Sequence, residues 1–241
     1  MERSSQILLV LLSLSTLISS SFEVDVVEHP VLFKMPGLAR DPKSEALILN
    51  NLNSLGTIPN VTLLLTGRLL RPGNGYTHGL FSRFLTTQAL ENYYTSNFFQ
   101  TAIQPMMPFL KGEDSVDYSS PLEHVDPAKK FKGEVVHVCF FELKANVMQN
   151  ETQSLISKLK NLANAMPSTV LQVTSGSNIK IRPDYLVFSH SFVARLASES
   201  AVKNFYGHPS YKEVVAEIKQ SSTLFVEADF VPVDYHSLGS M

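Results

Sequence analysis

Residues 135–141, Val-Val-His-Val-Cys-Phe-Phe, repeat the pattern of residues 27–33, which read Val-Glu-His-Pro-Val-Leu-Phe. Each stretch is rich in β-branched and aromatic residues with a histidine at its third position, so each predicts a strand. A second pair of stretches, residues 75–84 and 187–196, places a histidine ahead of a strand-like run that contains an arginine. Because both halves keep this order, the sequence indicates a tandem duplication.

Each half predicts the same order of elements, β-α-β-β-α-β. In the first half, Asp41 and Pro42 favour the start of a helix, and a second helix is predicted over residues 88–101. In the second half, helices are predicted over residues 151–165 and from residue 199 onward. This order is that of the ferredoxin-like unit, an antiparallel sheet with both helices on one face.

The sheet face opposite the helices also carries apolar residues, for example Leu63 and Leu65, or Phe192 and Ala194. An apolar face must be buried, and the matching sheet of the other half is the nearest cover. We therefore predict an α+β fold in which two β-α-β-β-α-β repeats close their antiparallel sheets on each other as an α/β barrel. A barrel of this size can hold one small ligand inside.

The chain divides into four predicted segments: a signal-peptide-like segment (1–22), repeat 1 (23–120), a linker (121–132) and repeat 2 (133–241). Residues 7–18 are almost wholly apolar and are followed by serines, which is typical of a signal peptide and too short for a membrane span. Two glycosylation sequons, at Asn60 and Asn150, fit a secretory or extracellular protein. Chloroplast, peroxisome and cytosol remain the alternative locations.

The composition excludes some partners. The net charge is −2 and no basic block occurs, so neither nucleic acid nor an anionic membrane surface is an expected partner. Cys139 is the single cysteine, which rules out an internal disulfide, and its apolar surroundings predict a buried thiol. The partners left open are a homodimer and a small apolar ligand.

The order of these motifs, present twice, resembles the stress-responsive dimeric A/B barrel family of plants and bacteria. The motifs are Val-x-His at 27–29 and 135–137, Gly-Tyr-Thr-His at 75–78, His-Pro-Ser-Tyr at 208–211, and Val-Asp-Tyr at 233–235 with an echo at 116–118. Single-copy members of the family form the barrel as dimers. The resemblance implies that a tandem member closes the barrel within one chain.

The resemblance also implies two functions: a stress or defence role without clear chemistry, or polyketide cyclisation by a Tyr and a His that act as an acid/base pair. In the family this pair lies on the second helix, in a segment that reads Tyr-x-x-His-Pro-x-His. In repeat 2 the position of the tyrosine holds Phe205 and the position of the catalytic histidine holds Tyr211. In repeat 1 Tyr93 matches the tyrosine, but the position of the catalytic histidine holds Phe99. Since neither repeat keeps both groups, we expect ligand binding rather than catalysis. The alternatives are a cyclase-like enzyme using Tyr93, His78 and Tyr211, and a cofactor-free monooxygenase of the related superfamily.

The candidate ligand-contacting residues are the strand histidines, the aromatic residues of the second helices and the histidine that follows them. They are His29, His78, Tyr93, Phe99, His137, His190, Phe205, His208 and Tyr211. The functional interpretation is that the strand histidines point into the barrel and hydrogen-bond a ligand, while the aromatic rings line its pocket. The structural interpretation is that the same side chains are hydrogen-bonded or packed parts of the core.

No cofactor is required by these hypotheses. Similar loops in the family, which follow the first helix of each repeat, hold Mg or Na through main-chain oxygens. The matching carbonyls here are those of Leu55, Ile58, Val61, Ala163, Met166 and Thr169. The alternative is that water satisfies these carbonyls, which the end of a helix leaves unpaired.

Overall fold

The computed structural model describes residues 23–123, 126–179 and 187–233; the predicted signal peptide lies outside them. Repeat 1 contains strands β1 (Glu23–Lys34), β2 (Val61–Gly73), β3 (Tyr76–Phe84), β4 (Gly112–Ser115) and β5 (Tyr118–Glu123), and helices α1 (Pro42–Ser54), α2 (Thr87–Thr95) and α3 (Asn97–Ile103). Repeat 2 contains strands β6 (Val135–Leu143), β7 (Val170–Ser177), β8 (His190–Leu196) and β9 (Ser222–Phe230), and helices α4 (Gln149–Lys160), α5 (Leu162–Ala165), α6 (Glu199–Gly207) and α7 (Pro209–Ser221). The predicted duplication and α+β class are confirmed.

Hydroxyl or carboxylate side chains cap α1, α2, α3 and α6. The Asp41 carboxylate accepts a hydrogen bond from the Ser44 N–H at 3.1 Å, and Pro42 occupies the first turn of α1. The helix predicted over 88–101 is instead two helices, because the Ser96 hydroxyl accepts from the Phe99 N–H at 3.0 Å and begins α3. The extended backbone of Ser96 therefore separates α3 from α2.

Part of the predicted linker is a strand. Residues 118–123 form β5 and pair antiparallel with β1, with Val26 opposite Ser120. Ser120 and Leu122 are buried. The segment that was expected to be a solvated linker, 121–132, therefore starts inside the sheet. The prolines and serines of this region hide the strand in the sequence, although alternate residues of β5 are buried.

The strands form one curved sheet in the order β4-β1-β3-β2-β9-β6-β8-β7, with β5 also beside β1. The two repeats meet first where Leu69 of β2 pairs with Phe230 of β9. They meet again between β5 and β7, where the Ile179 N–H donates to the Asp117 carbonyl at 2.7 Å and the Tyr118 and Thr174 hydroxyls lie 2.9 Å apart. The predicted closure of two sheets into a barrel follows from these two contacts.

The inside of the barrel is filled by side chains, so the predicted ligand space inside it is wrong. One apolar cluster joins both repeats across the interior; it includes Leu32, Leu63, Phe81, Phe140, Val193 and Phe230. Two further clusters lie between the sheet and the helices, one in each repeat. Leu63 and Leu65 face the interior as predicted, whereas Phe192 and Ala194 face the helices. Alternation along β8 gives the interior to Val193 instead.

Candidate functional site

A cavity of about 590 Å³ lies in repeat 1 between the sheet and its helices, on the opposite face of the sheet from the barrel interior. Most of its wall is apolar and includes Leu52, Leu55, Leu80, Phe99, Ile103 and Met106. The polar side chains in the wall are those of His29, Tyr93, Tyr94, Gln100 and Glu113. The break at Ser96 sets the position of α3 over this space.

His29 is the buried titratable group of this cavity. Its Nδ1 lies 2.7 Å from the Asp117 carboxylate and 3.0 Å from the Tyr94 hydroxyl. A carboxylate only accepts hydrogen bonds, so Nδ1 donates to Asp117, and whenever the ring is neutral Nε2 is its acceptor. Among the described residues no hydrogen bond to Nε2 is formed. The neutral ring therefore offers one acceptor to a ligand in a mostly apolar wall.

Three separate elements position this group. His29 lies on β1 on the same face as Val31 and Phe33, which also line the cavity. Asp117 lies between β4 and β5, and Tyr94 near the end of α2 donates to both of its carboxylate oxygens at 3.2 Å. Sequence reasoning missed Asp117 and Tyr94 as partners of His29.

Repeat 2 contains the same three side chains. The Nδ1 of His137 lies 2.9 Å from Asp229, and the Tyr206 hydroxyl donates to Asp229 at 2.9 Å. Burial acts to raise the pKa of Asp229, but hydrogen bonds from His137 and Tyr206 outweigh it and leave that pKa below its usual value. A fourth group, Tyr211, is added here: its hydroxyl lies 3.3 Å from His137 Nε2 and donates to Glu227 at 2.6 Å.

The equivalent of Asp117 is visible in the sequence spacing. The sequence motif matches 116–118 to 233–235, but the structure matches 116–118 to Ala228, Asp229 and Phe230, since Asp117 and Asp229 bind equivalent histidines. These aspartates are 112 residues apart, which is also the spacing between His78 and His190. Applying that spacing to the aspartates identifies the pair. Residues 234 and 235 lie outside the described part of the chain.

The functional interpretation, in which the four strand histidines point into the barrel, is wrong for all four, whereas the structural interpretation holds for His78 and His190. His29 and His137 face the helices as described above. His78 also faces them: its Nε2 lies 2.8 Å from Glu45 of α1, its Nδ1 lies 2.8 Å from the Thr77 hydroxyl, and it does not line the cavity. Glu45 also binds Arg68 through two hydrogen bonds. His78 is therefore a structural link between β3 and α1.

His190 and His208 have structural roles too. His190 stacks on Phe141, with ring centroids 5.3 Å apart, and its Nδ1 lies 2.9 Å from the Ser189 hydroxyl. His208 is the N-cap of α7 and accepts from the Ser210 N–H at 3.3 Å. Neither side chain joins the repeat 1 cavity.

We expect His78→Gln to flatten the pH dependence of stability. Burial lowers the pKa of His78 from its ordinary value of 6.5, although Glu45 acts in the opposite direction. The unfolded chain therefore binds the proton first as the pH falls, and the stability that His78 provides is lost between about pH 6.5 and its lower folded pKa. Glutamine does not titrate. Urea unfolding at about pH 7.5 and about pH 5.5 should show that the advantage of wild type over the variant shrinks on acidification; an advantage that grows contradicts this assignment.

The predicted catalytic set is not assembled. Tyr93 packs against His29 and Phe84 in repeat 1, whereas Tyr211 packs against His137 and Phe205 in repeat 2. His78 is committed to Glu45. Of the nine predicted pocket residues, the repeat 1 cavity brings together His29, Tyr93 and Phe99.

Some of the carbonyls predicted to bind a cation accept main-chain hydrogen bonds, although each carbonyl oxygen keeps a second lone pair. In the loop after α1, the carbonyls of Leu55 and Ile58 accept from the N–H groups of Ile58 and Val61; in the loop after α5, Met166 accepts from Thr169 and Val170, and Thr169 accepts from Ala197. Four of the six candidate carbonyls are thus already bonded, and Mg²⁺ needs about six oxygen ligands. Within the described ranges no group of three or more His, Cys, Asp or Glu is placed to hold a metal. The metal site stays a prediction, and no step below depends on it.

Comparison with known proteins identifies the family. The model of the stress responsive A/B barrel domain matches residues 27–120 and 135–232. The chain belongs to this family. A stress-response A/B barrel domain-containing protein of Arabidopsis thaliana is 27% identical over 169 residues, covering 69% of this chain and 63% of that relative. This chain therefore matches less than two thirds of the length of the Arabidopsis protein.

Solved structures share the tandem fold of this A/B barrel protein. A candidate monooxygenase of Fusobacterium nucleatum subsp. nucleatum is 10% identical with a TM-score of 0.61, covering 88% of this chain and 94% of its own. An anthrone oxidase-like protein is 9% identical with a TM-score of 0.58, covering 87% and 92%. At such identities the likeness shows the fold alone. Among the described residues no helix is long and apolar enough to cross a membrane.

Proposed function

We propose that this stress-response A/B barrel protein binds a small, mostly apolar ligand in the repeat 1 cavity, and that His29 accepts a hydrogen bond from a hydroxyl of that ligand. The observation that carries the proposal is the state of His29: Asp117 and Tyr94 hold Nδ1, and the ring lines a cavity with Nε2 uncommitted among the described residues. A fixed acceptor in an apolar wall is how small-molecule sites orient a ligand.

The size and lining of the cavity support this ligand class. Its volume of about 590 Å³ falls within the range of about 300–1,000 Å³ that is usual for small-molecule sites. Leucine, methionine and isoleucine side chains of α1, α3 and the following turn provide apolar contact, which gains free energy when a ring or alkyl chain leaves water. Binding alone is proposed, because the Tyr93, His78 and Tyr211 set predicted for cyclisation is not assembled.

Location and oligomeric state stay predictions. The signal-peptide-like segment that favours the secretory pathway lies outside the described residues. Both sequon asparagines, Asn60 and Asn150, are exposed, which is compatible with glycosylation. A homodimer remains an expectation that the barrel does not need, since the two repeats already close it.

We expect wild-type protein to bind 2-naphthol more tightly than naphthalene, because only the alcohol can donate to His29. In His29→Ala the preference should disappear: 2-naphthol binding weakens about tenfold and naphthalene binding is kept, as expected for one lost hydrogen bond of about 1–1.5 kcal/mol. Isothermal titration with both compounds measures this difference. Equal affinities for the two compounds in wild type would refute the role of His29.

The matched control is Ile103→Trp, which replaces another residue of the cavity wall by a larger side chain and leaves His29 itself unchanged. This variant should bind neither compound. Binding of 2-naphthol that survives in Ile103→Trp would place the ligand elsewhere and overturn the assignment of the cavity.

A further inference from the structure

The two repeats differ at one position that touches the strand histidine. Phe99 in repeat 1 and Tyr211 in repeat 2 are 112 residues apart and make equivalent ring contacts. Phe99 packs on Tyr93 and Tyr94 with centroid distances of 4.8 and 6.0 Å. Tyr211 packs on the corresponding Phe205 and Tyr206 at 4.1 and 5.2 Å. The two side chains therefore hold the same place in their repeats.

The two side chains differ in their contact with the histidine of their repeat, because only Tyr211 carries a hydroxyl. Asp229 lies 2.9 Å from Nδ1 of His137, and the Tyr211 hydroxyl, whose single proton is donated to Glu227, lies 3.3 Å from Nε2 and blocks that nitrogen by its position. Among the described residues, four aromatic rings contact the ring of His137, and the centroid of the Tyr211 ring lies 5.7 Å from that of His137. The ring of His29 is contacted by those of Tyr93 and Tyr94. In repeat 1, a phenylalanine leaves Nε2 of His29 without this partner.

A second substitution supports the difference. Tyr211 donates to Glu227 at 2.6 Å, and Glu227 pairs with Cys139 in the sheet as Ser115 pairs with the equivalent Val31. Repeat 1 thus lacks both the hydroxyl and the carboxylate that accepts its hydrogen bond. Tyr211 is only 2% exposed, and burial next to Glu227 raises its pKa far above the usual value, so the phenol stays neutral and remains a donor.

We propose that repeat 2 is a closed copy of the ligand site, in which the Tyr211 side chain occupies the ligand's place on His137, and that residues 99 and 211 decide which repeat is open. Of these two equivalent sites in the described part of the chain, the one at His29 then binds the ligand and the one at His137 does not, although a separate polar pocket of about 590 Å³ lies beside Tyr206, Glu227 and Asp229. This inference rests on the proposed function for the identity of the open site. The closed state of repeat 2 can be tested without it.

The test uses p-cresol, the side chain of tyrosine as a free molecule, in Ile103→Trp protein whose repeat 1 cavity is filled. Ile103→Trp should bind no p-cresol, and Ile103→Trp/Tyr211→Ala should gain one site, because the ring and hydroxyl of p-cresol replace those removed from over His137. Isothermal titration gives the number of sites. The proposal is overturned if Ile103→Trp already binds p-cresol at His137, or if the double variant gains no site.

Two further variants separate the possible failures. Ile103→Trp/Tyr206→Phe removes a neighbouring hydroxyl without opening space and should bind no p-cresol. If shortening Tyr211 prevents folding, Phe99→Tyr/Ser115→Glu tests the same idea in the other direction, by giving repeat 1 the groups of repeat 2. This variant should bind 2-naphthol at least about tenfold more weakly than wild type; unchanged binding contradicts the role of these positions. Failure of wild type to bind 2-naphthol would instead refute the proposed function.

Discussion

Arg195→Met is expected to destabilise the protein by about 3–5 kcal/mol, because it leaves the buried carboxylate of Glu134 without its cation. Arg195 is 1% and Glu134 2% exposed, and two hydrogen bonds of 2.6 and 2.8 Å join them. Arg195 also donates to the Gln172 side chain at 3.3 Å and the Lys129 carbonyl at 2.7 Å. Urea unfolding measures the loss.

The control for charge removal at the surface is Lys158→Met. Lys158 binds Glu217 at 2.5 Å, but the two side chains are 43% and 33% exposed, so the loss should be much smaller than that in Arg195→Met. The double variant Arg195→Met/Glu134→Met should recover most of the stability, since it removes the uncompensated carboxylate as well. A loss in Arg195→Met no larger than that in Lys158→Met would show that the buried pair does not matter.

Two equivalent arginines, Arg83 and Arg195, bind the segment that connects the repeats. Arg83 of repeat 1 binds Glu28 and Gln172 and donates to the Pro127 carbonyl at 3.2 Å, as Arg195 of repeat 2 does to Lys129. Both arginines belong to the repeated sequence pattern. Their role could not be predicted, because it depends on which carbonyls the linker presents at the end of the barrel.

The duplication and the order of elements follow from local patterns, and so were predictable. The direction of the histidines was not. Residues 27–33 are buried on both faces of the strand, with Val31 and Phe33 against the helices and Leu32 in the barrel. Alternation identifies a half-exposed strand but cannot choose a face when both faces are buried. The sequence therefore does not distinguish a His29 in the barrel from one on the helix side.

The cavity was unpredictable for a related reason. Its lining includes Tyr93 and Tyr94 of α2 and Phe99 of α3, two helices that the extended backbone of Ser96 separates. Sequence periodicity gives one amphipathic helix across this region, since the apolar residues continue through the break. Only the packing of the two short helices shows that space remains beneath them.

The seam between β2 and β9 joins the two sheets and depends on two glycines that face each other on neighbouring strands, Gly67 and Gly79. A Cβ atom at Gly67 would lie 2.0 Å from the Val231 carbonyl oxygen, and one at Gly79 would lie 2.4 Å from the Phe230 ring. Val233 N–H donates to the Thr66 carbonyl at 2.9 Å next to this point, so the chain after β9 is held close to β2. No side chain fits between them.

Gly67→Ala is therefore expected to cost at least about 3 kcal/mol, because the obstacle is backbone that cannot rotate away. Gly73→Ala on the same strand is the control and should be close to neutral, since a Cβ there meets nothing within 4 Å. Adding Phe230→Leu should relieve Gly79→Ala, whose clash is with a ring, more than Gly67→Ala, whose first clash is with a carbonyl. Urea unfolding of these variants distinguishes the two cases; Gly67→Ala as stable as Gly73→Ala would mean that the sheets do not meet at this seam, and the closed barrel would have to be abandoned.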